Sequence, residues 1–546
     1  MFHVKHIIIA SVLFLLACKE KKQADLILYN ANIYTATDDT ASKNCIVVKN
    51  GIILAVGNGD LIEEYNAKDV IDLEFATIYP GFIDAHCHFT NYGLDKYKCK
   101  LFFTKSFAEV VERIKEYEKI NQYGWIYGRG WDQNDWDLKE FPDNAELNRL
   151  YPDKPVILKR IDGHAMLVNQ KALDLAGITA NTKIEGGLIE IKNGKLTGIL
   201  VDNAMDPIEK IVAALPEKDA TNYLKEAESD CYKNGLTSVV DCGLSLDFIE
   251  LLRKLYKEKT LSISNTALIS QDKKTLEKYL SAGPFVEPPL YVTGIKVYAD
   301  GALGSRGAAL LDEYSDKSGH YGLILSPIEE MKQIALDAKA HKWQLCTHAI
   351  GDSANRAILR LYADILNGKN DLRWRVEHAQ VVDNEDYILF NNNSIIPSVQ
   401  PTHAISDMPW AGKRLGEKRL PSAYAFKRLL HEAGTIALGT DFPVEDINPL
   451  ATFYTAVARK DKDGNPAEGY MKENALSRME ALKGMTTWAA SSVFRETETG
   501  SLEPGKLADI VILDKDIMTI PEEEILTAKV LYTIHRGEIK YTSSKK

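Results

Sequence analysis

At 546 residues, with 45% hydrophobic and 26% charged side chains, the chain has the composition of an ordinary folded protein with room for more than one domain. Its net charge of -11 excludes nonspecific nucleic-acid binding, which needs a basic footprint. After the first twenty residues no apolar run is long enough to span a bilayer.

The N-terminus carries its own signal. Met1 to Lys5 is short and weakly basic, Ile7 to Ala17 is apolar, and Cys18 is followed by Lys19-Glu20-Lys21-Lys22. The apolar run has the form of a secretory h-region, and Leu15-Leu16-Ala17-Cys18 resembles the lipobox of bacterial lipoproteins. That resemblance implies a signal peptide over 1–18, a lipidated Cys18 and a tether over 19–24. The chain is then exported and held at the cell envelope through its lipid alone. An uncleaved apolar tail is the competing reading, and Leu16 is bulkier than the residue usual at its place. The other six cysteines, Cys45, Cys87, Cys99, Cys231, Cys242 and Cys346, are scattered without the spacing of a disulfide framework.

From 25 to 76, short alternating segments such as Cys45-Ile46-Val47-Val48 are separated by turn signals such as Lys49-Asn50-Gly51, which predicts hairpins. The same texture returns over 496–543, in Ile510-Val511-Ile512-Leu513 and Val530-Leu531-Tyr532-Thr533-Ile534. Neither block makes a core by itself, so the two together are expected to form one small β-sandwich from both chain ends.

Between them, over 77–495, apolar strands alternate with helical stretches. Strands are predicted at 82–88, 237–241, 263–269, 294–299, 344–347, 373–378, 395–400 and 435–439, with helices including 276–280, 327–341 and 353–366. Eight such strands fit an α/β fold of the (β/α)8, TIM-barrel type. Residues from about 94 to 221 are too many for one crossover and read as an insertion after the first strand. With Trp125, Trp131 and Trp136, the insertion has the composition of a lid or pocket wall.

Polar residues recur at the predicted C-terminal strand ends, where barrel enzymes place their sites. His86 and His88 sit at i and i+2 and can face one point. Lys296 lies inside an apolar strand, His348 and His378 each end one, and Asp441 follows the last. Alone, each histidine has a bland reading as a buried, satisfied side chain, and Asp441 could cap a helix. Together they make a donor set suited to zinc or a similar divalent ion. Cys87, between the first two histidines, is turned away by alternation and reads as a packed apolar residue.

At this point the sequence resembles the amidohydrolase superfamily, and within it the YtcJ-like amidohydrolase family 3. The resemblance runs from Pro80-Gly81-Phe82-Ile83-Asp84-Ala85-His86-Cys87-His88 through Gly128-Arg129-Gly130-Trp131-Asp132-Gln133 and Asp162-Gly163-His164-Ala165. It continues in Thr347-His348-Ala349-Ile350-Gly351-Asp352, Glu377-His378-Ala379, Gln400-Pro401-Thr402-His403 and Gly439-Thr440-Asp441-Phe442-Pro443. It implies a metal-dependent barrel hydrolase in which His86, His88 and Asp441 hold one ion, while His348 and His378 hold a second or complete the site. In many relatives a lysine at the position of Lys296 is carboxylated and bridges two ions. A salt bridge to Asp300 or Asp441 is the other reading of Lys296, and the number of ions stays open.

The expected reaction is hydrolysis of a non-peptide carbon–nitrogen bond in an amide-like small molecule, with hydroxide drawn from metal-bound water. Asp441 is the candidate general base, taking a proton and passing it to the leaving amine. His164 is a second catalytic candidate, and Trp131, Asp132, Arg306 and His403 are expected on the substrate side. His164 could instead pair with Asp162, and Arg306 could be a solvated loop residue. A deaminase with a related site is the neighbouring enzyme reading. A ligand-binding surface lipoprotein without catalysis is the reading from another class.

Overall fold

A computed structural model describes residues 21–38, 40–212 and 215–543. Cys18 and the predicted signal peptide lie outside the described residues. Among the described residues no helix is long and apolar enough to cross a membrane.

Eight parallel strands form the central barrel: β1 (Phe82–Cys87), β2 (Leu236–Leu244), β3 (Ser264–Ser270), β4 (Leu290–Tyr298), β5 (Gln344–Ala349), β6 (Arg375–His378), β7 (Ile396–Val399) and β8 (Ala437–Leu438). They pair in chain order from β1 to β8. Each overlaps a strand expected from the sequence. The seam between β8 and β1 has no strand ladder but is bridged just past the strand ends. Asp441 N–H donates to His86 O at 2.8 Å, and His88 N–H donates to Phe442 O at 2.9 Å. Gly439 permits this approach, since a Cβ there would stand 2.5 Å from His86 N and 2.7 Å from His86 O. Asp84 adds a side-chain tie, accepting from Thr440 N at 3.1 Å and Thr440 Oγ1 at 2.7 Å. Asp441 is thereby fixed beside His86 and His88.

Outer helices cover the barrel with their apolar faces. In Asp352–Leu366, Ile358, Leu359, Tyr362, Ile365 and Leu366 repeat at helical spacing and are buried. That helix stops at Asn367, whose φ of 56° is a left-handed C-cap. The expected helices at 276–280, 327–341 and 353–366 correspond to Lys273–Tyr279, Ile328–Ala340 and Asp352–Leu366.

The insertion is a small α/β unit with a six-stranded sheet running, edge to edge, Gly187–Lys192, Lys195–Asp202, Ala165–Val168, Val156–Arg160, Ile126–Trp131 and Cys99–Lys100. Each face carries its own apolar cluster, one around Trp131, Trp136 and Leu158, the other around Ile157, Met166 and Leu200.

Strands from the two chain ends join one branched sheet of eight. Thr77–Pro80 pairs with Ile510–Leu513 on one side and with Lys22–Ile33 on the other. The hairpin at Asn50-Gly51, with φ of 50° and 77°, lets Gly51 O accept from Ala508 N. The two arms therefore fold over a shared core that includes Leu28, Ile46, Ile510 and Ile534. The six cysteines after Cys18 are free and buried. Cys87 Sγ points to Val240 O at 3.4 Å, away from the histidines beside it.

Candidate active site

A cavity of about 120 Å³ opens at the C-terminal end of the barrel, between the strand ends and the insertion. Its floor holds His88, Lys296, His348, His378, His403 and Asp441. His86 lies just beneath, fully buried. The rings form a continuous set: His86 to His378 at 4.8 Å, His378 to His348 at 4.6 Å and His378 to His403 at 5.9 Å between centroids.

Three of these imidazoles have one nitrogen tied to an acceptor, which leaves the other for the cavity. His86 Nδ1 meets Glu377 Oε2 at 2.5 Å, His88 Nδ1 meets Cys242 O at 3.1 Å, and His378 Nδ1 meets Gln400 Oε1 at 2.7 Å. The Nε2 atoms of His86 and His88 lie 3.7 and 3.3 Å from Asp441 Oδ1, and His403 Nε2 lies 3.6 Å from Asp441 Oδ2. Ligands bonded at roughly 2.0–2.1 Å to a tetrahedral zinc ion stand about 3.4 Å apart. His86, His88 and Asp441 form one such group, and His378, His403 and Asp441 form another.

The charge states suit a cation. Burial, with the charge of Lys296 adding to it, pushes His86 down to about 4. Burial also carries His348 and His378 well below the usual imidazole range. These rings are neutral and able to donate lone pairs. Burial works against ionised Asp441, but the imidazoles of His88, His86 and His403 that face it outweigh it and hold the carboxyl well below its ordinary value. Asp441 Oδ1, His348 Nε2 and His403 Nε2 are buried without a hydrogen-bond partner. Such orphaned polar atoms are costly in a dry site, and a divalent ion in either ligand group would satisfy Asp441 and, in the second group, His403.

Backbone geometry aims the two carriers. Asp441 and His378 have φ of +63° and +71°, a region that few residues other than glycine adopt. The turn at His378 lets it face the cavity although Arg375 and Glu377 precede it on the inward side of β6. Lys296 is buried with Nζ 3.4 Å from His86 Nε2. The expected alternative, a salt bridge to Asp300 or Asp441, is not formed. Asp300 instead accepts from the backbone N–H groups of Ala309, Ile350 and Gly351.

The insertion supplies the wall. Arg160 is fully buried and gripped by Asp132, Asp162 and Gln133. His164 Nδ1 meets Asp202 Oδ1 at 2.7 Å, leaving Nε2 for the cavity. Burial opposes charge on His164, but the hydrogen bond and charge of Asp202 prevail and raise it above the usual imidazole value. The pairing expected with Asp162 is replaced: Asp162 Oδ1 accepts the backbone N–H of His164 instead. Apolar cover comes from Ile161, Leu303, Ile350 and Trp410.

Two expected substrate-side residues are misplaced. Trp131 is buried in the core of the insertion, its Nε1 donating to Leu158 O at 2.8 Å. Neighbouring strand residues face opposite ways, so Asp132 reaches the cavity and Trp131 cannot. Arg306 pairs with Asp316 at 3.0 Å and lines a separate cavity near Lys317 and His320. Asp132 lines the site with its carboxylate held by Arg160. His403, expected on the substrate side, stands within the second ligand group. Sequence reasoning assigned no role to Glu377, Gln400, Arg160 or Asp202. A charged pair at i and i+2 on an apolar strand was the signal available for Arg375 and Glu377.

The family model described as "Amidohydrolase family" matches residues 69–541. The putative amidohydrolase YtcJ of Bacillus subtilis (strain 168) is 31% identical over 531 residues, covering 94% of this chain and 98% of that protein. The N-substituted formamide deformylase of Arthrobacter pascens is 27% identical over 542 residues, covering 95% and 98% respectively. Among solved structures, an uncharacterized metal-dependent hydrolase from Pyrococcus horikoshii OT3 superposes with a TM-score of 0.75 at 29% identity, covering 91% of this chain and 99% of that one.

Proposed function

This chain belongs to the amidohydrolase family, a hydrolase acting on carbon–nitrogen bonds, and from that premise we propose that it cleaves a non-peptide amide-like bond in a small molecule. The observation that carries this reading is the ionised Asp441 carboxylate shared between two pairs of imidazoles. His86, His88 and Asp441 are the proposed holders of a first divalent ion, zinc by donor chemistry, with His378 and His403 offering a second place beside His348. Lys296 Nζ stands 3.4 Å from His86 Nε2 in the first group, where a carboxylated side chain would add an oxygen donor. When bound, such an ion lowers the pKa of a water molecule and polarises a carbonyl oxygen.

The remaining roles belong to the chain itself. Asp441 takes the proton that the attacking water gives up and passes it to the departing nitrogen. His164, oriented by Asp202, turns Nε2 toward the substrate across the cavity from Asp441. The wall favours an uncharged acyl group, because the guanidinium of Arg160 is already matched by two carboxylates.

The similarity to a protein named N-substituted formamide deformylase makes N-substituted formamides the first compounds to assay. Turnover of one of these or of another simple amide, abolished by chelation and restored by zinc, is the expected result. Full activity in metal-free protein would overturn the reading. Ammonia release from aminated heterocycles, with no amide cleaved, would assign a deaminase instead. We also propose that Cys18 carries a lipid that anchors the exported chain to the envelope. Mass spectrometry of the mature N-terminus decides this, and an intact unlipidated Met1 rejects it.

A further inference from the structure

We propose that Glu377, held by Arg375, is a positioning residue for His86 and governs how tightly the first ion is retained. The proposal rests on the metal-dependent reading above. His86 Nδ1 and Glu377 Oε2 are 2.5 Å apart, and both side chains are wholly out of solvent. An ionised carboxylate can only accept, so the imidazole proton sits on Nδ1 and the lone pair of Nε2 faces the cation. The Lys296 ammonium, 3.4 Å from His86 Nε2, is a donor meeting the same lone pair.

Glu377 could not remain ionised in this dry interior unaided. Arg375 supplies the counter-charge, its Nε and Nη2 meeting the two carboxylate oxygens at 2.7 and 2.8 Å. Arg375 Nη2 also donates to Ala85 O at 2.7 Å and Ser398 Oγ at 2.9 Å. Ala85 directly precedes His86. One guanidinium therefore fixes the backbone that carries the ligand and, through Glu377, the orientation of its ring, while tying β1, β6 and β7 together.

The neighbouring imidazoles provide the contrast. His88 leans on a carbonyl and His378 on an amide oxygen, both neutral acceptors. As a ring gives electron density to a cation it becomes more positive, and an anionic partner stabilises that change more than a neutral one. His86 is the one of the three whose donor strength depends on a charge pair behind it.

The test is the zinc dissociation constant of the full chain, read by chelator competition, with the visible spectrum of the cobalt-substituted protein as a second signal. Glu377→Gln is expected to weaken zinc binding about 10–100-fold and to shift the cobalt bands. Gln400→Leu, which removes a neutral partner, is expected to cost less. Because Glu377→Gln strands the buried charge of Arg375, the double variant Arg375→Met/Glu377→Gln removes both charges and must show the same loss while melting cooperatively. Wild-type binding with both variants within about threefold of it overturns the proposal and leaves the metal reading standing. A wild-type chain that binds no divalent ion overturns both.

Discussion

The floor and the wall of the cavity are built on opposite principles. At the floor, Asp441 Oδ1, His348 Nε2 and His403 Nε2 have no partner in spite of their burial. On the wall, Arg160 is matched by Asp132 and Asp162, and His164 is matched by Asp202. Asp202 Oδ2 is an exception beside His164, packed where a Cβ on Gly301 or Gly307 would come within 2.4 or 2.5 Å of it. Unpaired buried polar atoms cost free energy, so a fold keeps a set of them where a ligand completes it. The difference assigns chemistry to the floor and shape and orientation to the wall.

That contrast breaks first at Asp441. Asp441→Asn should lower kcat by about 10²–10⁴-fold, measured on the zinc-loaded protein, with little change in thermal unfolding. If the wall is structural, Arg160→Leu should act through stability instead. Leaving two part-buried aspartates without their partner is expected to cost about 1–3 kcal/mol in urea unfolding. The wall also predicts an acid response. Burial raises Asp162, but Arg160 outweighs it and holds the carboxyl below its ordinary value. Its contribution is then intact above the unfolded pKa of roughly 3.9 and is lost as pH falls through the lower folded value, and Arg160→Leu should flatten this part of the stability profile.

A smaller effect sharpens the boundary between the halves. Asp202→Asn, which keeps the size of the side chain but not its charge, should lower kcat/KM roughly tenfold without changing zinc content. Smallest of all, Arg306→Ala should leave kcat/KM within about twofold of wild type, because its partner Asp316 is outside the site. A large loss there would restore Arg306 to the substrate side.

Much of the floor was legible because its residues announce themselves locally. His86 and His88 share a strand face, and His348, His378 and Asp441 each close an apolar run, so barrel topology alone directs them to one end. The wall was not legible in this way. Alternation separates Trp131 from Asp132, yet which of the two meets substrate depends on which face of the insertion's sheet turns toward the barrel. His164 and Asp202 are cross-strand neighbours, extending the register in which Ala165 faces Val201, and a strand pairing across 38 residues leaves no mark in either segment.

Periodicity and strand-end chemistry by themselves determined the barrel strands and offered His86, His88, His378 and Asp441 to a cation, because those signals are short-range and repeat with the pitch of each element, whereas His403 joins the second ligand group only in the folded chain. Tertiary structure alone decided the partners. Glu377 reaches His86 across 291 positions, and Asp84 reaches Thr440 across 356. Those pairings exist only after the barrel has closed, when β8 returns to β1 and the dry interior makes every buried charge find its opposite.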